Sequence, residues 1–256
     1  MRAAVGESMA KAMEAETAAG GARSTRATAT AKVGSPGSDD APTGSVSGAG
    51  RSACKVGNPI LRETAYPVPA DKLGDPMVVK AIDDLVETMR TTSCFGLSAP
   101  QIGVPARIVA MEIDERTAKE YVRDAHAAMN GVPEVRETLA KSERTMVAVR
   151  NRIDCRPVPL TVIVNPEIVE QSEERVKLRE WCLSVPNMSG VVERPASVVV
   201  RGLRPDGTRG EFVAAGFPAR VLQHEIDHLD GVLFTDKMDT RTLSHEDEPA
   251  SFNLFA

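Results

Sequence analysis

The run Gln223-His224-Glu225-Ile226-Asp227-His228-Leu229-Asp230-Gly231 limits most strongly what this chain can become. Its two histidines stand four residues apart, and on an α-helix that spacing aims both imidazoles off one face toward a single divalent cation. Glu225 directly follows the first histidine, where a carboxylate can carry protons for a metal-assisted hydrolysis. The flanks support a helix, because Pro218 suits a first turn and Gly231 sits where a helix would stop. Leu222, Ile226 and Leu229 form one apolar stripe, and Phe217, Val221, His224 and His228 follow one another along a neighbouring stripe. A helix apolar on both stripes is expected to be largely buried.

A catalytic site of this type takes three protein ligands, so a further donor must come from elsewhere in the chain. His228 is followed by Leu-Asp-Gly-Val-Leu-Phe, without the additional histidine that some zinc peptidases place downstream. His245 lies in a polar stretch near the C-terminus and is a poor donor. Cys182, in Arg179-Glu180-Trp181-Cys182-Leu183-Ser184-Val185-Pro186, is the better one. The other cysteines, Cys54, Cys94 and Cys155, form no C-x-x-C pair, which argues against a disulfide scaffold and for a reducing compartment.

The 256 residues, 42% hydrophobic and 26% charged, suffice for one catalytic domain with additional polypeptide. A net charge of -5 leaves no general basic field for a phosphate backbone, which speaks against sequence-specific nucleic-acid binding. No stretch approaches the roughly 18 uninterrupted apolar residues that a membrane span requires, so the reading is a soluble protein. Residues 1–50 are dominated by Ala, Gly, Ser and Thr and are read as a disordered segment. Arg2, Lys11, Arg23, Arg26 and Lys32 within it suggest a transit peptide, although Glu7, Glu14, Glu16, Asp39 and Asp40 depart from the acid-poor pattern.

Residues 76–92 repeat apolar side chains every three or four positions and predict an amphipathic helix. Strands are expected at 107–111 and 160–164, the second stopped by Asn165-Pro166. Between them, 112–157 reads as a charged, partly helical insertion that acts as a solvated cover without chemistry, with His126 a surface residue. Val198-Val199-Val200 and Glu211-Phe212-Val213 flank the turn Arg204-Pro205-Asp206-Gly207 and predict a hairpin leading into the metal helix. The whole implies an α+β fold with antiparallel or mixed sheets around the C-terminal H-E-x-x-H helix. The catalytic domain is placed at 51–242, followed by a polar tail at 243–256.

Three segments in order carry a resemblance: Gly96-Leu97-Ser98-Ala99-Pro100-Gln101, then Glu180-Trp181-Cys182-Leu183-Ser184, then Gln223-His224-Glu225-Ile226-Asp227-His228-Leu229-Asp230-Gly231. Together they resemble the peptide deformylases, over roughly three quarters of the chain, and look most like the eukaryotic organellar branch. The resemblance implies removal of the formyl group from the N-terminal formyl-methionine of nascent chains, with release of formate. It implies Cys182, His224 and His228 as metal ligands, Glu225 as proton carrier, and Gln101 with the Leu183 amide facing the formyl oxygen. Fe(II) is the implied ion, with Zn(II), Ni(II) or Co(II) able to use the same donors. Gly96, Phe217 and Val221 are expected to contribute to the methionine pocket, with core packing as the alternative for the last two. For Gln101 the alternative is a brace for its own loop.

The resemblance further implies a mitochondrial location, with plastid or cytoplasm as alternatives, contact with nascent chains at the ribosome, and a homodimer as one assembly. The family motif has glycine where this chain has Trp181, and a glycine there suits a left-handed backbone that an indole would strain. A formyl-peptide binder with lost turnover is therefore one alternative reading. A metallopeptidase that cuts ordinary peptide bonds is another.

Overall fold

A computed structural model describes residues 51–130 and 154–245, side chains of 123–130 excepted. Residues 1–50, where a disordered segment was expected, 131–153 within the expected insertion, and 246–256 within the expected polar tail lie outside the described residues, as does the side chain of His126.

Asp75 starts the first helix, α1 (Pro76–Thr91), by accepting the Met77 amide at 3.0 Å, with Pro76 at the first helical position. Its buried face is Val78, Ala81, Leu85, Thr88 and Met89, whereas the apolar Val79 is exposed. Strands β1 (Gly96–Ser98) and β2 (Ile108–Ile113) follow, then helix α2 (Glu115–Asn130) in the expected insertion.

Strand β3 (Val158–Gln171) does not stop at Asn165-Pro166. Asn165 takes a left-handed φ of 53°, and its side chain bonds both the amide and the carbonyl of Val68, each at 2.8 Å. Those bonds replace the missing ladder contacts, so the strand bulges and resumes against its neighbour at Glu167. Strands β4 (Arg175–Cys182), β5 (Val185–Pro195), β6 (Ser197–Leu203) and β7 (Arg209–Ala215) come next. The last two are the expected hairpin, longer at both ends, with the Thr208 carbonyl accepting the Arg204 amide across the turn.

Helix α3 (Phe217–Leu229) carries the histidines, the short α4 (Phe234–Lys237) follows, and β8 (Met238–His245) ends the described chain. Strand β8 runs past the expected domain end at 242, because Ser244 and His245 pair with Ser189 and Met188 of β5. Among the described residues the strands form two antiparallel sheets, β1-β2-β3-β6-β7 and β4-β5-β8. The smaller sheet was invisible in the sequence pattern.

Helix α3 packs on β1, β2, β7 and β5, and all its side chains except Phe217 and Asp227 are buried. Ala219, Val221, Leu222, Ile226 and Leu229 join Val109, Ile163, Val198 and Val200 in the main core. Gly216 launches the helix at φ 64°, ψ -136°, a conformation essentially closed to other residues, with its amide on the Ala196 carbonyl. A Cβ there would lie 2.2 Å from the Asp154 carbonyl oxygen, whose position is held by the Phe217 amide. No helix among the described residues is long and apolar enough to cross a membrane.

Gly216→Ala should therefore lower stability by about 1–3 kcal/mol from backbone strain alone, with the overlap adding to it. Urea unfolding of the variant checks this, and an unchanged midpoint would show that the launch of α3 can relax.

Candidate metal centre

Strand alternation buries Val176, Leu178, Glu180 and Cys182 on one side of β4. Helix periodicity brings His224 and His228 to meet that face. The Cys182 Sγ lies 3.2 Å from His228 Nε2, and one donor atom from each of Cys182, His224 and His228 falls within 4.8 Å of the other two. All three residues are buried. His245, at the end of β8, is not among them.

A sulfur and two imidazoles gathered out of water suit a borderline-soft divalent ion. One buried atom supports the fit, because Glu225 Oε2, from the residue next to His224, has no protein hydrogen-bond partner, and such an orphan calls for an explanation. The residues present therefore fit a metal.

Glu180 supplies what sequence reading missed. Its Oε2 accepts His224 Nδ1 at 2.9 Å, which turns the other ring nitrogen away from the carboxylate. Arg194 of β5 grips the same carboxylate with two nitrogens at 2.6 and 2.8 Å, and Arg220 of α3 adds a third contact at 2.6 Å. Arg194 continues to Asp227 at 2.8 Å, and Arg220 to the Val192 and Val176 carbonyls. Burial alone would raise the Glu180 carboxyl, but Arg194 and His224 hold it well below the usual carboxylate range. The signal was present in the chain: Glu180 is two residues before Cys182 on a strand, and Arg220 four before His224 on a helix.

Gln101 is placed by its own loop. The Ser98 amide and hydroxyl both donate to Gln101 Oε1 at 2.9 Å, so Nε2 must face the other way. That nitrogen lies 3.6 Å from Cys182 Sγ and 3.3 Å from Ser184 Oγ. Gln101 thus braces the loop and directs a donor at the centre. Leu183 follows Cys182, and its carbonyl accepts Lys55 Nζ at 2.7 Å.

Gly96 lies against the glutamate, since a Cβ there would come within 2.6 Å of Val221 Cγ1 and 3.0 Å of Glu225 Cγ. Burial pushes the Glu225 carboxyl up to about 7. Gly96, Phe217 and Val221 all line a cavity of about 570 Å³ that opens onto Cys182, His224 and Glu225. The arrangement offers Lewis-acid chemistry on a carbonyl with one buried carboxylate beside it.

Residues 51–244 match the model of the polypeptide deformylase family. The chain belongs to that family. It is 37% identical over 192 residues to the human mitochondrial peptide deformylase, covering 75% of this chain and 69% of that relative. It is 39% identical over 186 residues to the Arabidopsis thaliana chloroplastic/mitochondrial peptide deformylase 1A, covering 73% of this chain and 60% of the relative. Its fold matches a class I type b peptide deformylase from Acinetobacter baumannii bound to Met-Ala-Ser, with a TM-score of 0.56 and 31% identity over 73% of this chain and 98% of that one.

Against that deformylase pattern, the departure at Trp181 is milder than the sequence suggested. Trp181 is not among the residues with positive φ, and it pairs with Ser189 in the regular part of the β4–β5 ladder. Its indole is 38% exposed and borders the same cavity. The backbone strain expected from replacing a glycine is absent.

Glu180→Gln would leave Arg220 buried without its counter-charge and Arg194 with Asp227 alone, at a cost of about 3–5 kcal/mol. It should also weaken Zn(II) binding about 10–100-fold, because His224 loses the charge of the carboxylate that orients it. Urea unfolding and chelator competition read the two effects separately, and full zinc affinity would remove Glu180 from the metal centre.

Proposed function

We propose that this chain removes the formyl group from the N-terminal formyl-methionine of nascent polypeptides and releases formate. The observation that carries the reading is the buried convergence of Cys182, His224 and His228 beside the partnerless Glu225 oxygen. Family membership supports the same activity.

Cys182, His224 and His228 would hold one divalent ion, and Fe(II) is the ion we assign, as the deformylase resemblance implies. The same S-N-N donor set takes Zn(II), Ni(II) or Co(II), and the thiolate ligand leaves an iron form open to oxidation. When bound, the ion supplies Lewis acidity toward water and the formyl oxygen. Glu225 takes the proton of the attacking water and delivers it to the departing amine, so one carboxylate serves both steps. Gln101 Nε2 and the Leu183 amide stabilise the oxyanion; the Gln101 donor is already aimed, because Ser98 holds the other end of its amide. Glu180, Arg194 and Arg220 act through His224 as positioning residues. The apolar cavity wall at Phe217 and Val221 receives the methionine side chain.

Formate release from formyl-Met-Ala-Ser by the anaerobically prepared Fe(II) protein tests the reading. Glu225→Gln should abolish turnover while retaining metal, and Gln101→Ala should lower the rate by about two to three orders of magnitude. Binding of the formyl peptide without any formate would establish a binder instead, and cleavage of the unformylated peptide a peptidase.

An organelle that begins translation with formyl-methionine is where such an activity is needed, and the mitochondrial and chloroplastic relatives support an organellar site. We assign the mitochondrion, on the five cationic residues among the Ser, Thr and Ala of residues 1–50. Those residues fused to a fluorescent reporter should carry it into mitochondria, and delivery to plastids or retention in the cytoplasm would overturn the assignment.

A further inference from the structure

Helix α2 was expected to be a solvated cover without chemistry. It does not behave as one. Asp114 caps its first turn by accepting the Thr117 amide at 2.8 Å and hydroxyl at 2.9 Å. Ala118 is buried against Ile113 and Cys155, and Tyr121 and Val122 join the same cluster with Phe95 and Phe217.

Among the described residues of α2, Tyr121 is the one that lines the cavity. Its ring stacks on Phe217 with centroids 4.1 Å apart and planes 28° apart, and Phe95 meets Phe217 edge-on at 5.1 Å. The cavity it lines is bordered by Cys182, His224 and Glu225. Phe217 precedes His224 by seven residues, which places the ring stack about 10 Å along the helix from the histidine. A side chain bound with its amide at the centre would point its tip along that span.

We propose that Tyr121 forms the far wall of the pocket for the N-terminal side chain and sets how long a side chain the protein accepts. The inference rests on the deformylase reading and deepens it, by giving the insertion between β2 and β3 a part in substrate choice. Phe217, held face-on by Tyr121 and edge-on by Phe95, makes a stiff end wall with them, since each contact blocks rotation of the central ring. Aromatic surfaces also make favourable contacts with a thioether sulfur, which suits methionine. A stiff wall discriminates by length, and one methylene in an apolar pocket is worth roughly 10- to 200-fold in specificity.

The test compares kcat/KM for formyl-Met-Ala-Ser with that for the same tripeptide bearing 2-aminooctanoate in place of methionine. Tyr121→Ala and Tyr121→Leu should each raise the ratio of long to methionine substrate by about tenfold or more, and Tyr121→Phe, which keeps the ring, should retain the parent ratio. If the alanine variant fails to fold, the leucine variant carries the comparison. Calorimetric binding of the two deformylated tripeptides gives a second readout that needs no turnover, and the same ordering is expected.

An unmoved ratio, or equal loss on both peptides, in an otherwise active protein would overturn the wall and leave Tyr121 a core residue. A parent protein that releases no formate, with variants that still shift binding toward the longer peptide, would instead sink the functional reading and keep the wall.

Discussion

One buried carboxylate holds the centre in register. Glu180 projects from β4 and is gripped by Arg194 from β5 and by Arg220 and His224 from α3. Charges taken out of water are tolerated only when paired and hydrogen-bonded, so each partner restricts where the others can sit. The clamp therefore fixes the rotation of α3 against the smaller sheet, and that rotation sets His228 against Cys182 at 3.2 Å. Asp227, bridged to both Arg194 and Lys237, ties the outer side of the same helix to the segment that leads into β8.

Around that clamp the packing is close enough to leave little choice of side chain. Gly96 leaves just enough space for Val221 and Glu225 to lie against β1. The Gln101 amide is oriented because the Ser98 backbone amide can only donate to its oxygen, a constraint created by one tight turn and not by the centre. The cavity is thus bounded by β1 and its loop, by the end of β4, by α3, and by the ring of Tyr121 from α2. Five separated stretches of chain meet there, Lys55 and the β4–β5 hairpin among them, and the insertion between β2 and β3 contributes one of the walls.

Much of the centre was legible because short-range periodicity is a property of the residues themselves. The His224–His228 spacing, the proline and glycine at the ends of α3, the β6–β7 turn and the stripe of α1 all express local geometry. The smaller sheet was not legible: β5 carries Pro186, Asn187, Met188 and Gly190 in its first half, and no alternation survives that composition. Asn165-Pro166 read as a strand end because its side chain's partner, Val68, lies far away in sequence. Glu180 and Arg220 were given no role, because the spacing that puts them on the faces of Cys182 and His224 does not show that they pair with each other across β4, β5 and α3.

By itself, then, the amino-acid order determined that a helix would present two imidazoles and a carboxylate on one side, and that a sulfur donor stood upstream. Backbone periodicity and side-chain chemistry suffice for that. Only the tertiary structure decided which face of β4 the sulfur shares with Glu180, how the arginines neutralise that carboxylate, and that Tyr121 lines the cavity. Those outcomes depend on the packing of two sheets and three helices at once, and burial energies act on the assembled surface, not on the sequence of any one segment.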